Sequence, residues 1–167
     1  PAGAPPPASP APASAATTVP TPPPGQSAQL ALSLFPTTPT IAAGGTVTVE
    51  LRATLVAGLE LGAWSFDLAY DATKLRATDC TALRASGTAL CNTQPVSGPA
   101  RVSTTGASTG GISGQVTLVS ISFTAQPGAN GPIPLTLQMQ GGITNVDVDT
   151  LTVSPANGTV IGAITVD

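Results

Sequence analysis

Residues 64–75 read WSFDLAYDATKL. Trp64, Phe66, Leu68 and Tyr70 occupy every second position, with Ser65, Asp67 and Ala69 between them. A strand turns successive side chains to opposite faces, so this spacing gathers four large residues on one side of a half-buried strand. A helix would spread the same residues around its circumference. The run stops at Asp71, whose residue type favours turns.

The same period of two extends outward from this stretch. Upstream, Leu30, Leu32 and Leu34 alternate with Ala31 and Ser33, and Val47, Val49, Leu51, Ala53 and Leu55 follow a Gly44-Gly45 turn. Downstream come Val116 and Leu118, then Val119, Ile121 and Phe123; the change of parity predicts a bulge or a strand buried on both faces. Leu135, Leu137 and Met139 make a further strand, Leu151 and Val153 another, and Val160, Ile164 and Val166 close the series after an Asn157-Gly158 hairpin turn. Gly, Pro, Asn and Asp clusters separate these runs, and no stretch sustains a 3.6-residue apolar period. The expectation is an all-β sandwich or closed barrel over residues 29–167.

Residues 1–28 are of another kind. They carry Pro5, Pro6, Pro7, Pro10, Pro12, Pro20, Pro22, Pro23 and Pro24 and no large apolar residue except Val19. Proline fixes φ and removes an amide donor, so neither a helix nor a central strand is available. The segment reads as an extended proline-rich arm or as a disordered tether, spanning on the order of 75 Å when extended. Thr17, Thr18 and Thr21, among prolines and alanines, suit O-glycosylation.

Only 8% of the residues are charged, against about 25% in an average soluble protein. Arg52, Lys74, Arg76, Arg84 and Arg101 are scattered and the net charge is −3, which excludes the clustered cations a nucleic acid would need. The surface must be built from Ser, Thr, Asn, Gln and Gly, a profile suited to a secreted protein at the cell surface. No apolar run approaches the ~20 residues of a transmembrane segment. Pro1 is read as the residue left after removal of a signal peptide. Cys80 and Cys91 are the only cysteines, so one disulfide is the simplest pairing, worth roughly 3 kcal/mol, with two buried thiols as the alternative. A disulfide implies an oxidising compartment.

Chemistry has little to work with. The absence of His removes Ser-His and Cys-His nucleophiles, and no enzymatic activity is expected. Asn145, Asp147 and Asp149 alternate with Val146 and Val148 and could supply three oxygen ligands to calcium, which wants six to eight. The usual loop glycine is missing, and the solvated face of an ordinary strand explains the same pattern, so no cofactor is expected. Trp64 and Tyr70 alternate in step with Phe66 and Leu68 and are assigned to the core rather than to a sugar platform. Asn157-Gly158-Thr159 is formally an N-glycosylation sequon as well as a turn.

Three stretches together resemble the cohesin domain family, the nine-stranded jelly-roll sandwich of cellulosome scaffold proteins. Trp64–Leu75 is similar to the family's strand and Tyr-Asp-Pro-x-x-Leu corner, with Ala72 in place of the proline. Gly114–Phe123 is similar to its Gly-x-Leu-x-x-Ile-x-Phe strand, and Asn157–Val166 to its terminal Asn-Gly-x-Ile-x-Val strand. The resemblance implies a jelly roll of about nine strands and a protein-binding habit. No residues match a dockerin-recognition set, and fold does not fix function.

Three functions follow as expectations. Long strands with little charge and one lysine leave sheet edges unguarded, and if the chain ends at Asp167, immediately after its last strand, the arm is the only appended device. The leading reading is a subunit of an extracellular filament or surface layer. In it the arm and the strand Gln29 to Phe35, through Gln29, Leu30, Leu32 and Leu34, contact another copy of the chain. A dockerin-binding cohesin of a scaffold protein is the alternative, and a carbohydrate-binding module the second alternative.

Overall fold

In the computed structural model the described residues are 27–82, 87–93 and 100–167. Twelve strands and no helix are found among them. They are β1 (Leu30–Pro36), β2 (Thr40–Ile41), β3 (Thr46–Leu55), β4 (Leu61–Ala69), β5 (Leu75–Ala82) and β6 (Gly87–Asn92), then β7 (Arg101–Ile112), β8 (Gln115–Ala125), β9 (Gly131–Met139), β10 (Thr144–Asn145), β11 (Val153–Ser154) and β12 (Val160–Val166). Three of them, β2, β10 and β11, are two-residue pairings, which leaves the nine longer strands that the jelly-roll expectation asks for.

The strands form two sheets, β11-β1-β3-β8-β5 and β2-β12-β9-β4-β7-β6, with β10 added to β4. Their inner faces make one core. Trp64, Phe66 and Leu68 from β4 meet Val49, Leu51 and Ala53 from β3, Ile121 and Phe123 from β8, and Ile133, Leu135 and Leu137 from β9, all nearly free of solvent contact. Burying side chains of this size contributes about 1.5–3 kcal/mol each relative to exposure. Tyr70 is half-buried and meets Phe123 edge to face, with centroids 5.2 Å apart. The alternation of the opening stretch therefore describes core packing, and no exposed aromatic platform arises from it.

The parity change in β8 is a bulge. Leu51 pairs with Val119 and Arg52 with Thr117, leaving Leu118 as the extra residue, and both Leu118 and Val119 are buried. A second bulge at Thr78 in β5 was not marked by any apolar pattern: Ala77 pairs with Phe123 and Asp79 with Ser122. Ala77 and Cys80 both come to face the core side across it, which a regular strand would forbid.

Three expectations need correction. Asn145–Asp149 is not a strand: β10 ends at Asn145, where it still pairs with β4, and the chain then turns with Val148 at φ 70° as Asn145 and Asp149 bond to each other. Leu151 is buried but lies outside any strand, and only Val153 and Ser154 pair, in parallel, with β1. The Asn157-Gly158 turn exists, with Gly158 at φ 77°, but it is no hairpin. It carries the chain from β11 in one sheet to β12 in the other.

The corner after β4 is a site of local charge chemistry. Asp71 Oδ1 accepts from the Thr73 amide at 2.9 Å and from the Thr73 hydroxyl at 2.6 Å. These bonds hold its carboxyl below the ordinary value of 3.8, the hydroxyl contributing most. A depressed folded-state value stabilises the corner above the unfolded pKa, and this is lost as pH falls through the folded value. An NMR titration of the Thr73 amide should show a midpoint below that of an aspartate in a short peptide; Asp71→Asn should abolish the titration.

Candidate protein-binding face

The outer face of β6, β7, β4 and β9 is built from small side chains. On β4 the residues between the core positions are Ala63, Ser65 and Asp67; on β7 they are Arg101, Ser103, Thr105 and Ala107; on β6 they are Thr88, Leu90 and Asn92. Short side chains on central strands beside longer ones on the edge leave a trough. An open cavity of about 570 Å³ runs between Leu90 and Asn92 on one side and Asp67, Arg101 and Gln140 on the other, over Ser65, Ser103, Thr104 and Thr105. A second cavity, about 390 Å³, continues it past Ala63, Thr88 and Ala107 to Gly142, sharing Ser65, Leu90 and Thr105 with the first.

Leu90 is the one large apolar side chain exposed on these four strands among the described residues, at 61%. It stands on the edge strand with Thr104 Oγ1 donating to its carbonyl at 3.2 Å. Exposed apolar surface within a polar rim is the common composition of a protein-binding hot spot.

The polar end of the trough is built around Asp67, which is 3% exposed. A buried carboxylate needs partners, since leaving one unpaired costs several kcal/mol. Gln140 Nε2 donates to Asp67 Oδ2 at 2.8 Å, and the Arg101 guanidinium lies 3.4 Å from the same oxygen. Arg101 retains a third of its side-chain surface, so it faces the trough while its charge is offset from below. Arg101→Ala leaves Asp67 with Gln140 alone and should cost about 1–2 kcal/mol of unfolding free energy, read by urea denaturation. Arg101→Lys should recover part of that loss.

Beneath the face, Thr105 Oγ1 donates to the carbonyl of Trp64 at 3.1 Å. Trp64 Nε1 is buried and finds no partner among the described residues. The indole lies against the backbone of Gly106.

The other expected sites are placed as follows. Cys80 and Cys91 form a disulfide that joins β5 of one sheet to β6 of the other. Leu30 and Leu32 are buried in this chain's own core, and Leu34 packs against it. Gln29 is stitched to the same domain, its amide donating to the Thr152 carbonyl at 2.8 Å and its Oε1 accepting from the Thr152 amide at 2.9 Å. Exchange of this strand with a neighbour would therefore strip two leucines from the core. Asn145 Nδ2 donates to Asp149 Oδ2 at 3.2 Å, and Asn145 Oδ1 accepts from the Asp149 amide at 2.8 Å, while Asp147 is exposed. No three His, Cys, Asp or Glu side chains converge as a metal site among the described residues. Asn157 is exposed, and its Oδ1 accepts from the Met139 amide at 2.7 Å. Thr17, Thr18 and Thr21 lie outside the described residues. No helix in the described residues is long and apolar enough to cross a membrane.

The family model for the cohesin domain matches residues 32–161, a span that includes every strand of the trough. Solved structures share the fold. A cohesin of Clostridium acetobutylicum, solved in a complex, aligns with a TM-score of 0.67 at 22% identity, covering 83% of this chain and 99% of that one. A non-cellulosomal cohesin of the archaeon Archaeoglobus fulgidus gives 0.61 at 18% identity, covering 81% and 91%. A type I cohesin–dockerin complex of Clostridium thermocellum gives 0.64 at 13% identity, covering 82% and 99%. At such identities the likeness speaks to the fold. No curated protein matches the chain.

Proposed function

The chain belongs to the cohesin domain family, and from that premise we propose that it is the receptor half of an extracellular protein–protein pair, taking a dockerin-type module on the outer face of β6, β7, β4 and β9. Cohesin modules are non-catalytic interaction domains, and this face offers an apolar anchor and hydrogen-bonding groups of the kind such a domain uses. The observation that carries the reading is the trough itself: Leu90, exposed at its rim, opposite a guanidinium held in place by a buried carboxylate. An anchor beside a preorganised polar group lowers the ordering cost of association. The cohesin–dockerin complex among the similar structures supports the class of partner. The Cys80–Cys91 disulfide supports an oxidising location outside the cell.

The test is titration of the full chain with dockerin modules from the same secretome, followed by calorimetry. A saturable one-to-one complex that Leu90→Asp prevents is the expected result. If no dockerin binds, while the chain polymerises and stops doing so when residues 1–28 are removed, the filament reading takes its place.

A further inference from the structure

β6 is the least secured strand of the face. It is six residues long, and among the described residues it pairs with β7 alone and forms the end of its sheet. Of its inward positions, Ala89 is the one fully buried apolar side chain, and the other is Cys91. Neighbouring β4 carries Trp64, Phe66 and Leu68 into the core. Backbone pairing along one side, the Thr104 hydroxyl bond to the Leu90 carbonyl and one buried methyl group bury far less apolar surface than the neighbouring strands do, which is weak packing for a strand that presents Leu90 and Asn92 to the trough.

The disulfide supplies what packing does not. The Thr78 bulge brings Cys80 round to the core side of β5, opposite Ile121, where it meets Cys91 across the gap between the two sheets. The bond is also accessible. Cys80, Cys91, Thr81, Ala82, Ala89 and Leu90 line a third open cavity of about 460 Å³. Leu90 thus borders both the trough and the cavity beside the sulfur atoms.

We infer that the Cys80–Cys91 disulfide is a tether that holds β6 as the wall of the binding trough, and that a thiol reductant releases this wall while the rest of the sandwich stays folded. The inference rests on the binding-face reading for its functional meaning. The step is ordinary exchange. A thiolate of a dithiol attacks one sulfur and displaces the other as thiolate, and the reductant's second thiol then closes to a cyclic disulfide. Two electrons and two protons pass to the protein, leaving two cysteine thiols.

The experiment is hydrogen exchange by mass spectrometry on the full chain, oxidised and after treatment with dithiothreitol and capping with iodoacetamide. The variant Cys80→Ala/Cys91→Ala is run beside it, so that a folding failure of the variant does not decide the matter. The expected result is at least tenfold faster exchange in peptides covering 87–92, with β3, β8 and β9 unchanged. Unchanged exchange in β6 would overturn the inference, because the strand would not need the bond. Acceleration spread evenly over all strands would also overturn it, because the bond would then be a general staple. No partner enters the measurement, so its outcome is independent of whether a dockerin is the ligand.

Discussion

Leu90→Asp is expected to weaken binding of the dockerin-type partner at least a hundredfold while moving the unfolding midpoint by no more than a degree or two. The two halves have different physical sources. In the free protein Leu90 is 61% exposed, so its replacement removes little buried area, and surface substitutions of this kind usually stay within about 0.5 kcal/mol. In the complex the same side chain would be covered. Losing an apolar anchor costs about 2 kcal/mol or more, and a carboxylate desolvated in its place adds to that. About 2.8 kcal/mol is a hundredfold change in affinity. Calorimetric titration and a thermal melt on the same sample separate the two effects. Unchanged affinity would move the partner off this face, and a large fall in the melting temperature would make Leu90 a folding residue.

What the sequence showed and what it hid divide along the two sides of the sheets. β3, β4, β8 and β9 announce themselves because their core positions are large: Val49, Phe66, Phe123 and Leu135 lie in alternating apolar runs, and the parity break at Leu118 marks the bulge in the sequence itself. β5, β6 and β7 carried no such signal. The core positions of β7 include Thr104, Gly106 and Ser108, and those of β6 are Ala89 and Cys91, so hydrophobic alternation is too weak to mark a strand. The trough is made largely from the strands that could not be read. Asp67 and Arg101 are separated by 34 positions and meet only through the register that sets Asp67 against Ser103 and Ala69 against Arg101. No local pattern encodes that pairing. Cys80 and Cys91 were readable as a pair, but that their bond joins opposite sheets depends on the Thr78 bulge, and a bulge flanked by nothing larger than Ala77 on its core side leaves no clear trace in the sequence.

Gly106 shows why a strand so poor in apolar residues is nonetheless held in register, and Gly106→Val should be among the most destabilising single substitutions in the domain. Gly106 pairs with Trp64 across β4 and β7. A Cβ built there would overlap the indole at Cζ2, Cε2 and Cη2, so the ring lies where this residue's side chain would be. The indole is 2% exposed and packed among core residues, so displacing it disturbs its neighbours. A glycine inside a strand otherwise weakens it; here it allows the close approach that buries the largest side chain of the protein. Valine adds a branched group against that ring, and overpacking of this kind costs about 3 kcal/mol. Urea denaturation of Gly106→Val should show it, with the slope unchanged. The combination with Trp64→Ala provides the decisive comparison. Each change alone is destabilising, but removal of the ring vacates the volume that valine needs, so the double variant should be more stable than the sum of the two losses predicts by at least 1 kcal/mol. Strict additivity would mean that ring and backbone do not compete for this space, and the small residues of β7 would then need another explanation.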